Sequence, residues 1–130
     1  MINTNIYNYI NVLDKAADAS NTRNEIILNN LANVDTPGYK RKDVSFQTYL
    51  EQALFKDGSL DNRVAEVNTH LSDFGGLIYT DSSTLSYRLD GNNVDVDTES
   101  AMLAENQIRY NALMGQIQQE FARYKTVLTT

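Results

Sequence analysis

The chain has 130 residues, of which 42% are hydrophobic and 22% are charged, and its formal net charge is −6. This length predicts one domain, and the negative charge disfavours nucleic acid as a partner because phosphate binding needs clustered Lys and Arg. The absence of Cys excludes disulfides and thiolate metal sites, and no apolar run approaches the roughly 20 residues of a membrane helix, so we expect no direct membrane insertion.

Residues 1–36 are predicted to form a long N-terminal helix. Its apolar residues recur at alternating steps of four and three, which is the period of coiled coils. The row on one face, here called the seam, consists of Ile6, Ile10, Leu13, Ala17, Ser20, Asn24, Ile27, Leu31 and Val34. A second row beside it consists of Val12, Ala19 and Ile26.

Two polar residues, Ser20 and Asn24, interrupt this seam. Polar seam residues lower stability but can fix register and partner choice, whereas loose packing at this point is an equally good interpretation. The segment also contains nine Asn before residue 35, and Asn is a mediocre helix former. We therefore expect the helix to be marginal alone and to order when its apolar face finds a partner.

A sharp turn is predicted to follow this helix. Pro37 fixes its own φ and pushes Thr36 toward an extended conformation, while Gly38 is free to take a positive φ. Asn33 can end the helix in a left-handed conformation or bond the backbone locally. Tyr39 then places an aromatic anchor after the turn, and the basic run 40–42 is interpreted as a solvated loop.

Residues 37–96 are predicted to form a turn-rich, variable middle. Asp43 or Ser45 can cap a short helix over residues 46–54. Residues 57–73 are interpreted as a mobile loop. Turns are predicted at Gly75-Gly76, Asp81-Ser82-Ser83 and Asp90-Gly91-Asn92-Asn93, and two short strands between them at Leu77-Ile78-Tyr79 and Leu85-Ser86-Tyr87.

Residues 97–130 are predicted to form the C-terminal helix, with Asp97 as N-cap and Glu99 near the positive end of the helix dipole. Its apolar face consists of Tyr110, Leu113, Met114, Ile117, Phe121, Tyr124 and Leu128, and Leu103 extends it upstream. Such a stripe is most often simple core packing and names no function by itself. The predicted fold is mainly α, with the two long terminal helices packed as a coiled-coil-like pair.

The sequence predicts no catalytic, cofactor or metal site. The single histidine, His70, lies in a polar stretch without a nucleophile or a carboxylate in a recognisable arrangement. The acidic residues Asp90, Asp95, Asp97 and Glu99 do not follow the calcium-loop pattern, and turn formation followed by helix capping explains them more simply. We therefore expect that the chain is not an enzyme.

The run from Asn30 to Tyr39 closely resembles the N-terminal signature of flagellar rod, hook and related axial proteins. The residues that carry this resemblance are Asn30, Leu31, Ala32, Asn33, Thr36, Pro37, Gly38 and Tyr39. The layout of paired terminal helices around a variable insert is similar too. Segments 89–95 and 103–110 resemble the proximal-rod type of this family.

The resemblance implies a structural subunit of the basal-body rod, the drive shaft that crosses the periplasm. It implies export from the cytoplasm by the flagellar type III apparatus without a cleaved signal. The implied partners are copies of the chain, neighbouring rod proteins, the basal adaptor FliE and the export apparatus.

The terminal helices are the expected assembly surface, and we expect other molecules to cover most of their seams. The seam residues assigned to assembly are Ile6, Ile10, Leu13, Ile27, Leu31, Tyr110, Leu113, Ile117, Phe121, Tyr124 and Leu128. The alternative hypothesis is a soluble helical adaptor or chaperone of the flagellar export and assembly pathway. In that case the two helices would form a self-contained hairpin.

Overall fold

The computed structural model of the chain describes residues 7–71, 78–82 and 88–129. In chain order its elements are α1 (Asn8–Ala32), β1 (Lys42–Val44), α2 (Phe46–Leu54), α3 (Leu60–Thr69), β2 (Ile78–Thr80) and α4 (Val96–Leu128). The predicted fold class is confirmed, since long terminal helices pack together around a middle of short helices and two short strands.

Helices α1 and α4 lie side by side and run antiparallel. At one end of the pair, the ring centroids of Tyr7 and Tyr124 are 6.0 Å apart. At the other end, the amide of Asn30 donates a hydrogen bond to Glu99 at 3.2 Å. Ile27 is fully buried on the seam of α1, because the four-three spacing of its apolar residues keeps one face toward α4.

The two polar seam residues of α1 face a buried amide of α4. The Nδ2 atom of Asn106 donates to the backbone oxygen of Ser20 at 2.7 Å and to Oδ1 of Asn24 at 3.0 Å. Asn106 is fully buried, and these bonds offset the cost of removing its NH2 group from water, whereas its Oδ1 atom has no hydrogen-bond partner among the described residues. The break in the seam is therefore a specific polar contact between the helices and not loose packing.

A small antiparallel sheet forms the base of the middle segment. In it β1 pairs with β2, and Asp43 lies opposite Tyr79. The strand predicted at residues 77–79 is thus found one residue later in the chain. The strand predicted at residues 85–87 falls outside the described residues.

The prediction of a mobile loop over residues 57–73 is wrong, because α3 occupies most of that stretch. Ser59 caps this helix by accepting a hydrogen bond from the backbone N–H of Asn62 at 3.4 Å. Val64 and Val67, one helical turn apart, are buried together with Val12 of α1. The predicted short helix over residues 46–54 is confirmed as α2, with Ser45 at its N-cap position.

The start of α4 differs from the prediction, and at the end of α1 the structure decides between the two predicted roles of Asn33. The N-cap of α4 is Asp95 and not Asp97, and its carboxylate accepts from the backbone N–H groups of Asp97 and Thr98. Asn33 follows α1 with φ −104°, so it does not take a left-handed conformation. It instead bonds locally, donating from Nδ2 to the backbone oxygen of Asn29 at 2.8 Å.

The burial of Ile27 gives a direct test of the helix pair. Ile27→Ala should lower the free energy of unfolding by about 3 kcal/mol, because it removes apolar contacts and leaves a cavity between α1 and α4. Urea unfolding followed by circular dichroism measures this loss. The neighbouring Leu28 is 52% exposed, so Leu28→Ala is the matched control and should cost less than about 1 kcal/mol. Equal losses for the two variants would contradict the packing described here.

Candidate functional site

Asn30, in the last turn of α1, joins three separate parts of the chain through one fully buried amide. Its Nδ2 atom donates to the backbone oxygen of Lys42 at 2.8 Å and to Glu99 of α4. Its Oδ1 atom accepts from the backbone N–H of Lys42 at 3.0 Å and from the hydroxyl of Tyr39 at 3.1 Å. The side chain thus fastens β1 and the start of α4 to the end of α1.

Arg41 lies beside this amide and is buried, with 7% of its surface exposed. Its guanidinium donates to Glu99, to Asp81 at 2.7 Å and to Asp43 at 3.4 Å. The interpretation of residues 40–42 as a solvated loop is therefore wrong at its central residue. A local run of basic residues carries no sign that acidic residues 40 and 58 positions away will meet it.

A second arginine completes the charged cluster. Arg23, on α1, donates to both carboxylate oxygens of Asp43, at 2.8 Å and 3.1 Å. This bidentate arrangement is the strong form of an arginine–carboxylate pair. We call the whole set the polar clamp, and its members are Arg23, Asn30, Arg41, Asp43, Asp81 and Glu99.

The clamp keeps its central charges ionised despite their burial. Desolvation opposes the charge of Arg41, but its hydrogen bond and attraction to Glu99 raise the pKa of the guanidinium above its ordinary value. Desolvation likewise opposes the charge of Asp43, but hydrogen bonds from Arg23 and from the backbone N–H of Val44 lower the pKa of that carboxyl. Each charge is thus stabilised by an opposite charge from another segment.

The turn that follows α1 is held by the loop that precedes α4. The buried amide of Asn92 donates from Nδ2 to three backbone oxygens at 2.8–2.9 Å, those of Asn33, Val34 and Thr36. The backbone N–H of Gly38 donates to the backbone oxygen of Asp90 at 2.7 Å. Gly38 has φ +72°, which confirms the positive φ expected at the turn.

Most of the predicted signature residues therefore meet at one place in the structure. Asn33 and Thr36 also bond each other, from Oγ1 of Thr36 to Oδ1 of Asn33 at 3.1 Å. Leu31 is half-buried, whereas Ala32 and Pro37 are exposed. Sequence reasoning missed Asn92, which was counted only among turn formers, and nothing in its local pattern signals burial.

The predicted assembly seam is only partly covered within the chain. On α1, Ile10 and Ile27 are buried, Leu13 and Leu31 are half-buried, and Ile6 lies outside the described residues. On α4, Ile117 is buried, while Tyr110, Leu113 and Tyr124 are half-buried. Phe121 and Leu128 are 53% and 84% exposed, so part of the apolar stripe of α4 stays exposed beside its buried and half-buried members.

The described part of the chain shows no sign of a metal or membrane site. No group of three or more His, Asp and Glu residues within it is arranged to hold a metal ion. None of its helices has the length and apolar character required to cross a bilayer. His70 is exposed at the C-cap position of α3.

Comparison with known proteins assigns the class of this helix-and-turn arrangement. A family model described as "Flagella basal body rod protein" matches residues 10–40, which cover most of α1 and the turn. The chain is 40% identical over 117 residues to the flagellar basal body rod protein FlgB of Bacillus subtilis (strain 168), covering 90% of each chain.

Two further relatives carry the same name. FlgB of Borreliella burgdorferi is 36% identical over 114 residues, covering 80% of this chain and 82% of the relative. FlgB of Escherichia coli (strain K12) is 34% identical over 106 residues, covering 73% and 77%. The chain belongs to the FlgB family of flagellar basal body rod proteins.

The role of Asn30 can be tested against an adjacent asparagine. Asn30→Ala should lower the free energy of unfolding by about 3 kcal/mol, because it removes a fully buried amide that bonds both the backbone N–H and the backbone C=O of Lys42. Asn29 is exposed, and Asn29→Ala should change stability by less than about 0.5 kcal/mol. Denaturant unfolding of both variants measures these losses. A loss for Asn30→Ala as small as that for Asn29→Ala would show that the amide of Asn30 does not hold β1 and α4 to α1.

The charge of Asp43 predicts a specific acid sensitivity. Because its pKa is lower in the folded chain than the ordinary value of about 3.9, it stabilises the fold above that value and loses this effect as the pH falls below it. Asp43→Asn should therefore cost about 3 kcal/mol near neutral pH, and the gap to the unmodified chain should narrow below about pH 4.

Urea unfolding at a series of pH values between neutrality and acid measures this gap. Asp18→Asn, at an exposed position of α1, is the control and should give a curve parallel to that of the unmodified chain. A gap between Asp43→Asn and the unmodified chain that stays constant into acid would show that Asp43 is not the responsible group.

Proposed function

We propose that the chain is a structural subunit of the bacterial flagellar basal-body rod, joined to its neighbours by packing of its terminal helices. The observation that carries this proposal is an antiparallel helix pair joined at Asn30 of the polar clamp, with its signature turn held by Asn92, in a chain of the FlgB family. A rod transmits torque, and a subunit for that role needs a defined shape and surfaces that neighbours complete.

The exposed end of α4 is the surface best suited to a neighbour. This helix has 33 residues and extends roughly 50 Å at 1.5 Å per residue, whereas α1 has 25 residues. Phe121 and Leu128 lie on its predicted apolar face and remain exposed in the single chain. Contact of this end with a non-identical face of the next subunit is heterologous, and such contacts build open helical arrays.

The seam thus divides into two parts with different roles. The inner part, around Ile27 and Ile117, is buried within the chain and serves its own fold. The outer part, at the end of α4, is left for packing between subunits. This division refines the expectation that other molecules cover most of both seams.

The proposed partners are those that the resemblance implies: other rod subunits, copies of this chain, the basal adaptor FliE and the flagellar type III export apparatus. The proposed location is the rod within the periplasm, reached from the cytoplasm without a cleaved signal. The family of structural rod proteins supports these assignments. The adaptor or chaperone hypothesis accounts for the self-contained helix pair, but it does not account for the family or for the exposed end of α4.

The proposal predicts that Phe121→Asp abolishes motility without unfolding the subunit. Phe121 is 53% exposed, so the isolated chain should keep its helices and its melting temperature. A carboxylate buried between subunits without a partner costs several kcal/mol, which should reduce incorporation into basal bodies at least tenfold. Motility assays, immunoblots of purified basal bodies and circular dichroism give the three readouts.

Gln118 is exposed on the same helix, and Gln118→Asp places the same charge one turn away. This control should leave cells motile, because Gln118 is not part of the apolar face. Motile cells with normal amounts of the Phe121→Asp subunit in their basal bodies would refute the assigned surface. The proposed function itself would be refuted if the unmodified chain were missing from purified basal bodies and cells that lack the chain remained motile.

A further inference from the structure

A groove lies between α2 and the helix pair, and contacts within the chain fix its shape. Its volume is about 770 Å³, which is within the range of ordinary binding clefts. Ala19 of α1 lies on one side of the groove, and Leu50 of α2 lies on the other. Leu50 is held in place because it also packs against the buried apolar cluster that joins α3 to α1. The groove is therefore already formed in the single chain.

One buried polar atom at this groove has no partner. The side chain of Asn106 lines the groove and is fully buried. Its Nδ2 atom is directed to α1, where it donates to Ser20 and Asn24. Its Oδ1 atom accepts no hydrogen bond from the residues that the structure describes. A buried acceptor without a donor is costly, so a donor brought into the groove would gain a favourable contact.

The charged residues that line the groove already have partners. Arg23 is paired with Asp43, and Arg109 is paired with Glu105. The carboxylate of Glu51 accepts a hydrogen bond within α2. The groove therefore suits an occupant that brings apolar side chains and one hydrogen-bond donor.

The end of α4 has this combination of side chains. Phe121, Lys125 and Leu128 follow one another at steps of four and three, so they share one face of the helix. All three are exposed, and the ammonium of Lys125 has no ion-pair partner in the described part of the chain. The stem of a lysine can lie along an apolar wall while its ammonium reaches a polar group.

A single chain cannot bring these two features together. Lys125 lies on the same helix as Asn106, roughly 28 Å further along α4 at 1.5 Å per residue. This separation is several times the reach of a side chain. An α4 end that supplies the donor for Asn106 must therefore belong to another molecule.

We propose that the groove of one copy receives the end of α4 from a neighbouring copy. Phe121 and Leu128 of that end pack against the apolar walls, and Lys125 donates a hydrogen bond to Oδ1 of Asn106. The groove and the end of α4 are different surfaces, so the contact is heterologous and repeats from copy to copy as an open array. This inference rests on the proposed function and identifies the face that receives the end of α4.

Cross-linking between the groove and the end of α4 tests this contact. The chain has no Cys, so introduced thiols are the only ones it carries. Ala19→Cys places one thiol in the groove, and Thr129→Cys places the other just after α4. Ala19 precedes Ser20, which contacts Asn106, whereas Thr129 is roughly 35 Å further along α4. A short bismaleimide therefore cannot join the two thiols within one chain, and in isolated basal bodies it should give multimers on denaturing gels.

Asn21→Cys with Thr129→Cys is the matched control. Asn21 is exposed and lies two residues beyond Ala19, on the opposite side of α1. The share of multimer should be severalfold larger for the groove pair than for this control. Equal shares, or only uncross-linked chains from the groove pair, would overturn the proposal. A product whose mass is not a multiple of that of the chain would show another protein in the groove and would overturn the chosen occupant.

The hydrogen bond can be tested apart from the apolar contact. Lys125→Met keeps a side chain of similar length without a donor, so it should lower the share of multimer from the groove pair about tenfold. Lys125→Gln keeps a donor and should restore most of the loss. Because Lys125 is exposed, both variants should keep the melting temperature of the isolated subunit. An unchanged share for Lys125→Met would refute the assigned donor.

If the groove pair prevents incorporation, the purified protein is cross-linked at rising concentration instead. A multimer that grows with concentration for the groove pair, and not for the Asn21 control, supports the contact. Its absence overturns the proposal. Failure of the proposed function looks different, because the unmodified chain would then be missing from basal bodies.

Discussion

The buried amide of Asn30 is the contact on which the rest of this structure depends. It donates to one backbone carbonyl and one carboxylate while it accepts from a backbone N–H and a tyrosine hydroxyl. Only a side chain that is both donor and acceptor can serve all four partners. An ionised aspartate in its place would have no donor for the carboxylate of Glu99 or for the backbone carbonyl of Lys42. The chemistry of the site therefore requires an amide at this position in the signature.

Around that amide, the charges of the polar clamp specify geometry more than they add stability. Removing ionised groups from water is costly, and a buried ion pair often contributes little net stability compared with apolar packing. Such a cluster does penalise any arrangement in which one charge loses its partner. Arg41 has carboxylate partners from β1, from the end of β2 and from α4, so it rejects conformations in which any of these segments shifts. The middle segment is thereby held in one orientation relative to the long helices.

The sequence predicted what local periodicity determines and missed what distant contacts determine. Helices α1, α2 and α4 follow from apolar spacing and from residues that can cap a helix. Helix α3 was missed because three polar residues follow its first residue Leu60 and Gly58 lies just before it, although Ser59 as a cap and two valines one turn apart were a usable signal. The burial of Arg41 had no such signal, since Glu99 lies 58 residues away and becomes a neighbour only once α4 packs against α1. Asn92 was likewise predicted only as a turn former, because its three carbonyl partners lie more than 50 residues earlier.

The distribution of polar and apolar contacts fits a subunit that has a defined fold by itself but leaves apolar surface for its neighbours to cover. A subunit that sealed all its apolar surface would have no reason to add to a growing array, whereas one without internal order would offer neighbours no fixed surface. Here the polar clamp and the Asn106 contact fix the helix pair from within. Meanwhile Phe55 at the end of α2 and Phe121 on α4 remain exposed on separate elements. In the proposed rod, neighbouring subunits would cover these two side chains, and contact between unlike surfaces propagates along an array without closing on itself.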